Sequence, residues 1–196
     1  MPDSISSAIT RREAILRSGS TLFREKGYTA TSMQDIAGAL GIKAASLYNH
    51  IKSKHDILSE LLMEGAQLFT DGMFEIKSSS LKPITKIEKL IGLHVQLAIQ
   101  RTDLMALMTV EWRHLEPNEK KEYVQLRTSY EDDFKQIMLA AKRNQEIIDI
   151  EIDIALFSML TTLQRFYAWY DRHLSINALD LEKDLIQCLL GGIRTS

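Results

Sequence analysis

Residues Ser32 to Lys54 read SMQDIAGALGIKAASLYNHIKSK: a short helix, a tight turn and a second short helix. Ser32 is placed to N-cap the first helix, with Asp35 at the acidic third position of a capping box. Ile36, Ala37 and Leu40 recur at helical spacing and face inward. Ala37 is small where a crossing helix must come close. Gly41 falls where the chain turns sharply, and a left-handed backbone is cheapest for glycine. Ile42 returns to the core, and Lys43 to His50 forms the second helix with Leu47 and Ile51 buried. Lys43, Ala44, Ser46, Tyr48 and Asn49 remain outside. Small residues permit close approach, and polar tips can meet base edges and phosphates, as on a helix laid in a DNA major groove. The plainer alternative is an ordinary helical hairpin of the kind many all-α proteins contain.

The flanks bear on that choice. Upstream lies ITRREAILRSGSTLFREKGYTATSMQDIAGALGI (9–42), downstream SLYNHIKSKHDILSELL (46–62). Ala14, Ile15, Leu16, Phe23, Gly27, Tyr28, Thr31, Ser32, Ile36, Ala37, Gly41 and Ile42 keep a definite order and spacing. Leu47, Tyr48, His50, Lys52, Ser53, Lys54, Ile57 and Leu58 continue it. Together they resemble the N-terminal domain of the TetR/AcrR family of repressors. Ile51 stands where that family usually has phenylalanine, and Met33 where a small β-branched residue is common. The resemblance implies DNA contacts from Thr31, Ser32, Gln34, Lys43, Ala44, Ser46, Tyr48, Asn49, His50 and Lys54. Tyr48 and Lys54 would meet phosphates; Lys43 and Asn49 would reach bases.

Composition is compatible. Of 196 residues, 45% are hydrophobic and 26% charged, enough apolar matter for a core in a soluble chain. No apolar run approaches the ~18 residues a membrane span needs. The polar N-terminus and single cysteine, Cys188, suit a reducing cytoplasm. Net charge is −2, a poor match to DNA until the chain is split. Residues 1–56 carry eight Lys/Arg against five Asp/Glu, a surplus of +3; the remainder carries sixteen against twenty-one, a deficit of −5. The basic part coincides with the helix-turn-helix, as phosphate binding requires.

The expected fold is all-α with about nine helices. A three-helix DNA-binding domain (1–52) precedes a helical effector-binding and dimerisation domain (53–196). Helix one runs from about Ser7 to Lys26, with Ala8 in its apolar stripe, Gly27 ending it, and Arg11 and Arg12 near its start, exposed or on phosphate. Ser53 caps a fourth helix that reaches about Ile76, with Asp56 at its third position. Lys54 in its first turn opposes the helix dipole, which suits a neighbouring phosphate. Further helices cover about 84–101, 104–113, 118–143, 153–173 and 178–190, with Pro117 opening one, Asn144 as a left-handed stop and Asn177 as an N-cap. Residues 148–154 alternate Ile with acids, a strand signal without a partner strand, and are assigned to a loop.

Two late helices hold Leu156, Met159, Leu160, Leu163, Phe166, Tyr167, Trp169 and Tyr170, then Leu181, Leu185, Ile186, Leu189 and Leu190. They either fill the monomer core or pair across a two-fold axis. The family implies a homodimer, a palindromic double-stranded operator, and an effector pocket in the body. Its candidate lining is His94, Met105, Met108, Trp112, Tyr130, Phe134, Met159 and Trp169, any of which can equally be core. Arg165 and Trp169 lie four apart on one helix face, with Arg172 and His173 following; an arginine beside an indole suits phosphates and a flat ring, or packs internally as a cation–π pair. The stretch from His94 through Glu111-Trp112 and Arg127-Tyr130 to Trp169-Tyr170 is loosely similar to the acyl-CoA-responsive branch. That implies an acyl-CoA effector, with a hydrophobic drug-like or aromatic compound as the alternative. An enzyme is disfavoured: there is no Gly-rich phosphate loop, no Gly-x-Ser-x-Gly elbow and no metal-ligand spacing, and five histidines sit scattered. No cofactor is expected. A helical interaction module without DNA binding is the third class.

Overall fold

Thr10 opens the first helix in the computed structural model, which describes residues 10–172 and 177–195. Its hydroxyl accepts from Glu13 N–H and the Glu13 carboxylate accepts from Thr10 N–H, so α1 spans Arg11–Lys26. The helix therefore starts after the expected Ser7; Ser7 and Ala8 lie outside the described residues. The other helices are α2 (Met33–Ala39), α3 (Ala44–Leu47), α4 (Lys54–Ser78), α5 (Pro83–Gln100), α6 (Thr102–Val110), α7 (Pro117–Arg143), α8 (Ile152–Tyr170) and α9 (Ala178–Leu190). A 3₁₀ turn, Glu111–His114, follows α6. The fold is all-α. Among the described residues no helix is long and apolar enough to cross a membrane.

The chain divides into two compact units, Met1–Leu62 and Met63–Ser196. In the first, Ile15, Phe23, Ile36, Leu47, Ile57, Leu58 and Leu62 are sealed from solvent. Burying each such side chain contributes about 1.5–3 kcal/mol. Ile51 is buried where the family prefers phenylalanine. Arg12 clamps this unit: its guanidinium donates to the Glu60 carboxylate of α4 and, at 2.7 Å, to the carbonyl of His50. It is thereby occupied within the protein.

In the second unit α5 lies at the centre, packed on α7, α8 and α9. Ile84, Ile87, Leu90, Ile91, Val95, Leu97 and Ala98 bury nearly all its faces, the mark of a central helix. Pro83 opens it at the first helical position, and Ile84 N–H donates to Glu146. Pro117 does the same for α7, behind a Glu116–Glu119 capping box. Asn177 caps α9 through Leu179 N–H.

One local expectation is corrected. Asn144 has φ −80°, and the left-handed residue is its neighbour Gln145 at φ 59°. The alternating segment after it is a loop leading into α8, as expected; just ahead of it Ile147 forms an isolated antiparallel bridge with Arg194, and Ile148 N–H donates to Ile193 C=O at 2.7 Å. The pairing stops there because Ile152 enters α8.

Candidate nucleic-acid interface and internal cavity

Ser32 and Asp35 cap α2 reciprocally. Ser32 Oγ accepts from Asp35 N–H at 3.1 Å and the carboxylate accepts from Ser32 N–H at 2.8 Å. These bonds, with Lys26 at 3.3 Å, hold the Asp35 carboxyl down at about 2. Gly41 makes the turn at φ 65°, a conformation that costs a residue with a side chain about 1–2 kcal/mol. Beyond it, α3 closes after Leu47, and His50 N–H bonds the Leu47 carbonyl as the chain tightens. The second helix is therefore shorter than the expected 43–50. Gln34, Lys43, Tyr48, Asn49 and His50 present exposed side chains, with Tyr48 52% exposed. Ala44 and Ser46 are half-buried at their feet.

Three expected DNA contacts have their polar groups bonded within the protein. Thr31 is 1% exposed, and its hydroxyl bonds the carbonyls of Gly27 and Leu22. The Ser32 hydroxyl is taken by Asp35. Lys54 Nζ donates to the carbonyls of Tyr28 (2.9 Å), Thr29 (3.2 Å) and Thr31 (2.9 Å), and lies 4.5 Å from the Tyr28 ring centroid. An ammonium has three hydrogens, and all three are used. Lys54 meets three carbonyls past the end of α1, which explains a cation in a first turn that opposes it.

The second unit encloses a cleft of about 730 Å³, counting the part open to solvent. Phe69 of α4, Met105 and Met108 of α6, Tyr123 and Leu126 of α7 and Leu160 of α8 supply apolar walls. His94 and Tyr130 meet in its wall, Nε2 to Oη at 2.9 Å, with the Phe69 ring 4.6 Å from the imidazole. Burial pushes the His94 pKa down to about 3 and the Tyr130 phenol further up. Trp112 stacks on Tyr123, and the indole carries the Arg127 guanidinium and the Lys120 ammonium, each 5.1 Å from its ring. Burial lifts the Tyr123 phenol to about 12, and its hydroxyl donates to Met108 C=O. Thr109, Glu131 and Gln164 complete the polar lining.

The N-terminal unit and the body match separate family profiles. The profile described as bacterial regulatory proteins, tetR family, matches residues 15–61. The one described as tetracyclin repressor-like, C-terminal domain, matches residues 80–193, more than half of the chain. This chain belongs to the TetR family of transcriptional regulators. An HTH-type transcriptional repressor, KstR2 of Rhodococcus jostii, is 28% identical over 97% of this chain and 95% of its own length. The ketosteroid transcriptional regulator KstR2 of Mycobacterium tuberculosis superposes with TM-score 0.90 at 20% identity, covering 97% of this chain and 98% of that one. AibR, solved with isovaleryl coenzyme A and operator DNA, superposes with TM-score 0.79 at 20% identity over 91% and 97%. At those identities the two superpositions speak for the fold.

Within this TetR-family body, His94, Met105, Met108, Trp112 and Tyr130 all line the cleft. Phe134 does not: it is fully buried behind Tyr130, edge-on at 6.3 Å. Met159 is core. Arg165 and Trp169 also stand off the cleft. Leu160 and Gln164 are the α8 residues that line it, and Arg165 is a further ~100° round the helix. Trp169 stacks on Phe166, and the arginine–indole pair the cleft holds is Arg127 with Trp112. His173 lies outside the described residues. Of the apolar residues left open between core and dimer face, Leu156, Met159, Leu160, Leu163, Phe166, Tyr167, Leu181 and Leu190 are buried within the monomer. The apolar side chains α8 and α9 leave exposed are Ile154 (62%), Phe157 (69%), Trp169 and Leu179 (77%).

Proposed function

We propose that this TetR-family regulator is a repressor that binds a palindromic operator as a homodimer and is released by an acyl-CoA thioester. Operator contacts come from Gln34, Lys43, Ala44, Ser46, Tyr48, Asn49 and His50, with Thr31, Ser32 and Lys54 holding that surface in shape. Lys43 and Asn49 reach base edges; Tyr48 and His50 meet phosphates. Ile154 and Phe157 stand one turn apart on α8 and supply the apolar face for a second copy. A dimer sets two recognition helices about one DNA turn, ~34 Å, apart or somewhat more.

The observation that carries the effector reading is the cleft itself: apolar walls, with an indole and two cations at Trp112. A hydrophobic acyl body suits the former, and a phosphate-bearing tail suits the latter. Arg165 and Trp169, exposed beside the cleft-lining Gln164, take the nucleotide end. Isovaleryl coenzyme A in the AibR complex supports the same class. The effector must prefer the DNA-free state by several kcal/mol to empty an operator.

Native mass spectrometry of the protein purified from its host tests this reading. A dimer retaining an adduct of a CoA thioester's mass is expected. An adduct of an uncharged aromatic compound would replace the acyl-CoA reading with the drug-like one.

A further inference from the structure

His94 is 3% exposed and is the buried polar residue of α5 that lines the cleft. Its Nε2 meets Tyr130 Oη, and among the described residues no group reaches its Nδ1. A buried ring nitrogen without a partner is uncommon, because burial removes water without replacing its bond. The pair's hydrogens can be assigned. Tyr130 is fully buried, which keeps its phenol protonated, and it has one hydrogen to give. If Nε2 carried the imidazole hydrogen, the phenol hydrogen would have no acceptor and Nδ1 would be bare as well. Giving the phenol hydrogen to Nε2 satisfies both groups and puts the imidazole hydrogen on Nδ1. His94 lines the cleft beside Phe69, Met105 and Leu160, so a buried donor without a partner lies at that wall.

We infer that the Nδ1–H of His94 is a recognition point for a neutral carbonyl oxygen carried by an otherwise apolar effector. The inference rests on the effector reading above and specifies its chemistry. A carboxylate is a poor match, since the imidazole stays neutral and the cations lie at Trp112. An amine or alcohol hydrogen finds no acceptor at a protonated Nδ1. The carbonyl has two sources: the thioester group itself, or a ketone within the acyl body.

Isothermal titration of the full chain with three probes separates them. The probes are S-(cyclohexylmethyl)-CoA, which has no carbonyl in its cyclohexyl arm, cyclohexanecarbonyl-CoA, which adds the thioester carbonyl, and the 4-oxo derivative of the thioether, which adds a remote ketone. At least one carbonyl probe should bind the wild type about tenfold to a hundredfold tighter than the thioether. A thioester advantage names the thioester carbonyl, and a ketone advantage names the acyl body. In the double variant His94→Leu/Tyr130→Phe, which leaves neither partner bare, that advantage, taken as the ratio to thioether affinity in the same variant, should vanish. An advantage that persists in the variant, or none in the wild type, overturns the inference. If all three probes bind the wild type equally and displace operator DNA, His94 is excluded while the effector reading stands. If none binds, both fall. Nitrogen-15 spectra of histidine-labelled wild type add a test free of any variant: the buried imidazole should carry its hydrogen on Nδ1, and an Nε2–H tautomer overturns the inference.

Discussion

Three backbone carbonyls converge on the Lys54 ammonium, so losing it is a folding event before it is a DNA-binding one. Lys54→Met should lower unfolding free energy by about 1.5–3 kcal/mol, read by urea denaturation. Tyr48→Ala should leave that stability unchanged and weaken DNA, since the ring is half in solvent. Lys43→Ala and Asn49→Ala should weaken DNA and also alter sequence preference. Anisotropy titrations across a panel of operator variants check this, and all three variants binding like wild type would refute the surface. His94 adds a pH dependence. Burial takes its pKa from the ordinary 6.5 down to about 3 on folding, so between those values the unfolded chain binds more protons. Stability is then fully present above about pH 6.5 and declines as pH falls toward 3. Thermal melts from pH 7 to pH 4 should fall more steeply for wild type than for His94→Leu/Tyr130→Phe.

At the scale of elements, α4 comes close enough to α6 that a Cβ added at Gly65 would run into Met108 Sδ. Met108 lines the cleft, so Gly65→Ala must displace it. Overpacking of this kind costs about 1–3 kcal/mol. We expect altered effector affinity by calorimetry in Gly65→Ala, restored toward wild type when Met108→Ala relieves the clash. The helices themselves were legible because their signals are local: Pro83 and Pro117 at first positions, Asn177 as a cap, apolar residues at three and four. So was the exposed character of Lys43, Tyr48 and Asn49. Thr31 and Lys54 were not, because periodicity does not say which carbonyls a hydroxyl or ammonium will find across 4 to 26 residues. On α8 the apolar stripe is legible, but its partner is not. Whether Leu160 meets a core, a cleft or a second copy depends on α5 and α7, which lie far away in sequence.

For the whole molecule, the charge split matters more than the net value. A +3 head on an otherwise acidic chain confines phosphate attraction to one end. If the exposed Ile154 and Phe157 seat a second copy, Phe157→Asp should give monomers in sedimentation velocity and lose the operator. Helical content by circular dichroism should be unchanged. Arg165→Ala/Trp169→Ala should leave operator affinity intact while abolishing release by an acyl-CoA. The most direct measurement is fluorescence anisotropy of the full chain on duplex DNA from upstream of its own gene, against a scrambled duplex at equal salt. Saturation at two chains per palindromic site, with the scrambled duplex bound far more weakly, is the predicted result. Equal affinity for both duplexes would contradict the account.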